Sequence, residues 1–157
     1  MKLDIKDNSR KIDGELCFGI YSANKKFNRF YQHVLDSYGL TYPQYAVMLV
    51  LWAHSPITVR ELGSYVDLDS GTLTPLLKRL QKNNWVTKER STEDERVVNI
   101  SITEHAEEMK DEIFAHVNHC YDILGLTQKE INDSLNVINQ ISDQLDKVDI
   151  SKMDESK

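Results

Sequence analysis

Apolar side chains return at helical spacing along most of this chain and switch to alternation over one short stretch. Across residues 9–36, Leu16, Ile20, Phe27, Phe30, Tyr31, Val34 and Leu35 recur every few positions, which predicts a helix that Gly39 ends. Thr41 and Gln44 then have the spacing of a capping box, with Pro43 in the first turn. The run YAVMLVLWA behind them is apolar all round and predicts a buried central helix, broken by HSPI. Thr58 with Glu61 is a second capping box and opens a short helix to about Tyr65. Asp69 or Ser70 caps the next helix, whose inner stripe is Leu73, Leu76, Leu77 and Leu80 and which Asn83 and Asn84 end. VTKER and VVNISI follow as two strands joined by the polar turn STEDE, the second alternating Val98, Ile100 and Ile102 with Val97, Asn99 and Ser101. Thr103 restarts helix as far as Gly125. Thr127 with Glu130 is a third capping box, and the last helix carries Ile131, Leu135, Ile138, Ile141, Leu145 and Val148.

Two helices joined by a short turn and followed by a hairpin make a winged helix-turn-helix, in which the second helix enters a DNA major groove. The fold class expected is mainly α with a small β-hairpin wing. Residues 41–103 form the winged DNA-binding lobe, residues 1–40 and 104–150 a helical dimerisation region, and residues 151–157 a flexible tail. On the second helix of the pair the leucines share one side. The other side shows Gly71, Thr74, Pro75, Lys78 and Lys82, flanked by Thr72 and Arg79. The ring of Pro75 presses toward the carbonyl of residue 71, where a glycine adds no side chain to the crowding. Hydroxyls and free amides at this helix start can face phosphates or base edges. Lys78, Arg79 and Lys82 add charge, and Arg96 near the hairpin tip can reach a minor groove. The plainer alternative is a solvated helix face beside an ordinary hairpin.

Charge changes this picture in one respect. The 157 residues hold 19 basic and 25 acidic side chains, a balance that speaks against a general polyanion binder. The acid is unevenly placed. Residues 58–103 carry seven of each sign, whereas residues 104–157 carry five basic and 13 acidic. The middle segment is therefore free to meet phosphates locally. The longest apolar run has nine residues against the roughly 20 a membrane helix needs, and the charged N-terminus has no signal-like apolar core. The expected setting is cytoplasmic and without a membrane partner, where the two cysteines stay reduced.

The segment DLDSGTLTPLLKRLQKNNWVTKERSTEDERVVNISITEHA resembles the core of the MarR family of transcription regulators. The segments ELCFGIYSANKKF and LTYPQYAVMLVLW resemble its organic-hydroperoxide-sensing, thiol-based branch. The match is close over residues 14–106; beyond that only the layout of two helices agrees. The resemblance implies a homodimer that reads a pseudo-palindromic DNA operator with two recognition helices. It places Ser70, Thr72 and Thr74 in the groove-facing turn. It also makes Asp94 and Arg96 a wing pair in which the acid steadies the arginine.

Cys17 lies early in its helix, where amide dipoles favour a thiolate, the form that reacts. The resemblance implies hydrogen bonds to its sulfur from Tyr31 and Tyr42, and Tyr21 is a further candidate nearby. It further implies that an oxidised Cys17 is resolved by Cys120 of the partner subunit, with release of the operator. Cys17 as a small buried hydrophobe and Cys120 as an incidental helix residue are the bland alternatives. His116, His119 and Cys120 share a helical face, but no carboxylate joins them, so no metal and no cofactor is expected. Two other functions stay open at this point. One is a regulator on the same scaffold answering a small aromatic ligand. The other is a thiol peroxidase, which lacks any motif placing an arginine or acid to polarise a peroxide.

Overall fold

The computed structural model describes residues 12–94 and 96–149, with the backbone alone at Asp13. The described residues form six α-helices and three strands, with one 3-10 turn at Ile12–Gly14 ahead of the first helix and a second at Asp36–Tyr38 after it. In chain order these are α1 Leu16–Leu35, α2 Tyr42–His54, β1 Ile57–Thr58, α3 Val59–Val66, α4 Ser70–Lys82, β2 Val86–Arg90, β3 Val98–Ile102, α5 Glu104–Ile123 and α6 Gln128–Asp146. The expected fold class holds. Two boundaries move. The first helix begins at Leu16 rather than at residue 9, residues 9–11 and the tail 151–157 lying outside the described residues. The expected two-stranded wing is one part of a three-stranded antiparallel sheet in the order β1-β3-β2.

The chain divides into two compact bodies, residues 1–116 and 117–157, with α5 running from the first into the second. Leu35, Val47, Met48, Leu51, Leu62, Leu73, Leu77, Leu80, Ile100 and Ile113 fill the core of the first body. Helix α2 buries Tyr45, Val47, Met48, Leu51 and Trp52, while Ala46 and Val50 are half-buried and Leu49 and Ala53 are exposed, so its all-round apolar sequence is buried only in part. Three of the four leucines on the inner stripe of α4 are buried, and Leu76 is half-buried. Trp52 ties α2 to α5: its indole N–H donates to the Ala106 carbonyl at 2.9 Å, and its ring meets Phe114 edge-on. In the second body the apolar stripe of α6 stays open, with Leu135, Ile138 and Leu145 exposed. On α1, Leu16, Ile20 and Phe27 are exposed as well.

The capping boxes form. The Thr41 amide donates to Gln44 Oε1 at 2.8 Å, the Thr58 amide to Glu61 Oε2 at 3.0 Å, and the Thr127 amide to Glu130 Oε2 at 2.8 Å. Of the two candidate caps of α4, Asp69 takes the role, its carboxylate accepting from the Thr72 amide at 2.8 Å. A side chain at Gly71 would press on this carboxylate, with a Cβ only 3.0 Å from Asp69 Oδ1. Glycine there keeps the cap open, a second reason for it beside the Pro75 ring.

These bonds hold three carboxyls below their ordinary range. Glu61 is lowered by the Thr58 hydroxyl and amide, Asp69 by the Thr72 amide and hydroxyl, and Glu130 by the Thr127 amide and hydroxyl. A carboxyl whose folded-state pKa is lowered stabilises the fold above its unfolded value and loses that contribution as pH falls through the folded value. The melting temperature is therefore expected to decline as pH drops below the ordinary values of 4.5 for Glu and 3.8 for Asp. Asp69→Asn should flatten that decline, as followed by circular dichroism at stepped pH. Independently, Trp52→Phe removes the indole bond that ties α2 to α5 and should cost about 1 kcal/mol in urea unfolding.

Candidate functional site

The N-terminal half of α4 and the β2–β3 wing stand on the same lobe and present one continuous polar face. Helix α4 turns its leucines inward, so Ser70, Thr72, Thr74, Pro75, Lys78, Arg79 and Lys82 are all exposed. Pro75 sits within the helix, and the Asp69 cap keeps the first turn regular ahead of it. At the wing tip the Arg96 amide donates to Asp94 Oδ1 at 3.0 Å, and Arg96 Nε approaches the same oxygen at 3.4 Å. The arginine side chain is 94% exposed. The acid thus fixes the base of the arginine while its head stays available, the geometry expected of the wing pair.

The sheet brings further cations to this face. Register pairs Lys88 with Ile100 and Arg90 with Val98, so both share the sheet side that carries buried Ile57 and Ile100. Lys88 is half-buried there. Burial lowers its pKa, and the positive charge of Lys78 on α4 lowers it further. Arg60 at the start of α3 borders the same groove. Sequence reasoning passed over Arg60, Lys88 and Arg90. The alternation of VTKER does carry a signal, because Lys88 and Arg90 fall on the parity of buried Val86.

Cys17 is the second residue of α1, and it is exposed. Within the single chain the sulfur is therefore not part of the hydrophobic core. The tyrosines expected around it divide into two groups. Tyr21 follows one turn later and is exposed, its ring 6.3 Å from that of Phe18. Tyr31 and Tyr42 lie together, with ring centroids 4.6 Å apart and Tyr31 buried. Tyr31 is fourteen residues beyond Cys17 on one helix, a rise of about 21 Å. Within one chain, α1 separates the sulfur from this tyrosine pair. Cys120 is half-buried on α5. Among the described residues no three His, Cys, Asp or Glu side chains are grouped to hold a metal ion, and no helix is long and apolar enough to cross a membrane.

Known proteins fit this arrangement. Residues 29–113 match the family model described as transcriptional regulator SarA/Rot. The organic hydroperoxide resistance transcriptional regulator of Bacillus subtilis (strain 168) is 39% identical over 131 residues, covering 83% of this chain and 87% of that protein. Among solved structures, reduced AbfR bound to DNA superposes with a TM-score of 0.76 at 34% identity, over 83% of this chain and 90% of that one. AbfR is a Staphylococcus epidermidis protein. Its disulfide-formed structure has a TM-score of 0.64 at 32% identity, over 80% of this chain and 88% of that one. The winged lobe, the match across its whole length and the identity to these regulators lead to one conclusion: the chain belongs to the MarR family of winged-helix transcription regulators, in the branch of the organic hydroperoxide resistance regulator, and is a regulator rather than an enzyme.

Proposed function

We propose that this protein is a homodimeric repressor that binds double-stranded DNA at a pseudo-palindromic operator and lets go when Cys17 is oxidised. The observation that carries this reading is the exposed thiol in the first turn of α1. A reactive cysteine needs access, which this exposed position gives it within the chain. The DNA-bound AbfR structure supports the first half of the proposal, and its disulfide-formed structure supports the second.

Each part of the face takes a role. Ser70, Thr72, Thr74 and Pro75 enter the major groove with the start of α4, while Lys78, Arg79 and Lys82 hold phosphates. Arg96, steadied by Asp94, enters the adjacent minor groove. Dimerisation covers the apolar side chains that α1 and α6 leave exposed. It also explains the tyrosines. Because α1 separates Tyr31 from Cys17, the Tyr31–Tyr42 pair supports the Cys17 thiolate of a second chain lying antiparallel along this helix, with Tyr21 close to either sulfur.

The chemistry balances with an organic hydroperoxide as oxidant. The Cys17 thiolate attacks the outer oxygen, the O–O bond breaks, and the alcohol leaves after taking a proton. Sulfur is oxidised by two electrons to the sulfenic acid. The thiol of Cys120 from the partner subunit then attacks that sulfur, expelling water and closing a disulfide. A covalent bond between subunits shifts the spacing of the two winged lobes, and the operator no longer fits both.

A gel shift on the region upstream of the protein's own gene tests this. Wild type should release the fragment on adding an organic hydroperoxide, whereas Cys17→Ser should bind equally well and stay bound. Release by the serine variant excludes Cys17 as the sensor. A peroxide-induced dimer band on a non-reducing gel should vanish in Cys120→Ser, and its persistence removes the resolving role. Separately, Arg96→Ala should weaken operator binding by about 1–3 kcal/mol while leaving peroxide release intact, measured by fluorescence anisotropy.

A further inference from the structure

Helix α1 separates charge as well as hydrophobicity. Its 20 residues include Lys25, Lys26 and Arg29 and no carboxylate. At about 100° per residue these three share one arc of the helix with His33, and all four are exposed. That arc lies opposite the one that holds Leu16, Ile20 and Phe27. Copies that meet through the apolar side therefore leave the basic side uncovered. The nearest acids along the chain are Glu15 before the helix and Asp36 after it.

The first half of α5 is the counterpart. Glu104, Glu107, Glu108, Asp111 and Glu112 are exposed and occupy one side of the helix. Lys110 is half-buried on the other side. Half-buried His105 stands at the edge, its ring against Trp85. Both stretches belong to the body formed by residues 1–116. Among the described residues, none of these lysines, this arginine or these five carboxylates makes an ion pair within the chain.

The two patterns also match in spacing. Lys25, Arg29 and His33 stand four residues apart, as do Glu104, Glu108 and Glu112. Each row spans about 12 Å of helix. Lys26 widens the basic row, and Glu107 and Asp111 widen the acidic one. Two such helices laid side by side bring opposite charges together over that whole length. One exposed ion pair contributes little, but several held in register act as a network.

We infer that the basic side of α1 docks on the acidic side of α5 in another copy, joining homodimers of this protein to one another. The inference rests on the proposed homodimer and adds a second, polar contact between copies. The contact is heterologous, so each joined dimer still presents a free face of either kind. Dimers on neighbouring sites of one duplex gain most from it, because the DNA already holds them close.

The test is sedimentation velocity of the full-length reduced protein at rising concentration. Wild type should pass from dimers to larger species at low ionic strength. It should return to dimers in about 1 M salt, where the screening length falls to about 3 Å. Lys25→Glu, Lys26→Glu and Arg29→Glu together make both faces acidic. Glu107→Lys, Glu108→Lys, Asp111→Lys and Glu112→Lys together make both basic. Each reversed protein alone should stay dimeric at low salt. An equimolar mixture should assemble, because each supplies the face the other lacks. If a reversed protein fails to fold, Lys25→Gln with Arg29→Gln decides, and should move assembly to several-fold higher concentration. A wild type that stays dimeric at low salt, a reversed protein that assembles alone, or a mixture that does not assemble overturns the inference and leaves the proposed function standing. So does a lowered salt slope of the α1 variant on a duplex with one copy of the region upstream of its gene, which assigns that face to phosphates. A wild type found as single chains in about 1 M salt overturns the homodimer itself.

Discussion

Ile100 is the residue through which the winged lobe is registered. It is fully buried, and it pairs with Ile57 of β1 on one side and with Lys88 of β2 on the other. Strand pairing has a period of two, so this one contact decides which side chains of the hairpin face inward. A slip by a single residue would turn half-buried Lys88 away from the side that Ile100 occupies and bring Thr87 and Glu89 onto it. The position of every cation on the wing side of the lobe follows from one hydrophobic side chain finding its place. The short β1 matters for the same reason, because it fastens the link between α2 and α3 to the central strand.

The helices were legible in the sequence because their ends are written in local chemistry. A threonine three residues ahead of a glutamate or glutamine and just before an apolar run announces a helix start, and the three pairs read that way, Thr41–Gln44, Thr58–Glu61 and Thr127–Glu130, form their bonds. The leucine stripe of α4 was equally plain, since burial of one face imposes the 3.6-residue period. Strand β1 was not legible. It has two residues, too few for alternation to register, and its existence depends on β3 arriving from forty residues further on. The start of α1 was placed too early because polar residues before Leu16 do not contradict a helical period.

The site was legible unevenly, for physical reasons of the same kind. The exposed face of α4 and the Asp94–Arg96 pair follow from local sequence, and the geometry at the wing tip agrees with it. Arg60, Lys88 and Arg90 were passed over because a basic residue in a short strand reads as solvent-facing until pairing shows otherwise. Cys17 was legible as a residue but not as a site. Its expected tyrosine partners are separated from it by the length of α1, a fact of three dimensions that spacing in a sequence does not convey.

The open stripe on α6 has a consequence for how the chain behaves in different salts. Around Leu135, Ile138 and Leu145 the helix carries Glu130, Asp133, Asp143 and Asp146 against Lys129, so two copies approaching along it bring like charges together. Added electrolyte screens that repulsion and eases self-association, while it weakens attraction to a polyanion. Ionic strength thus pulls the two kinds of encounter in opposite directions.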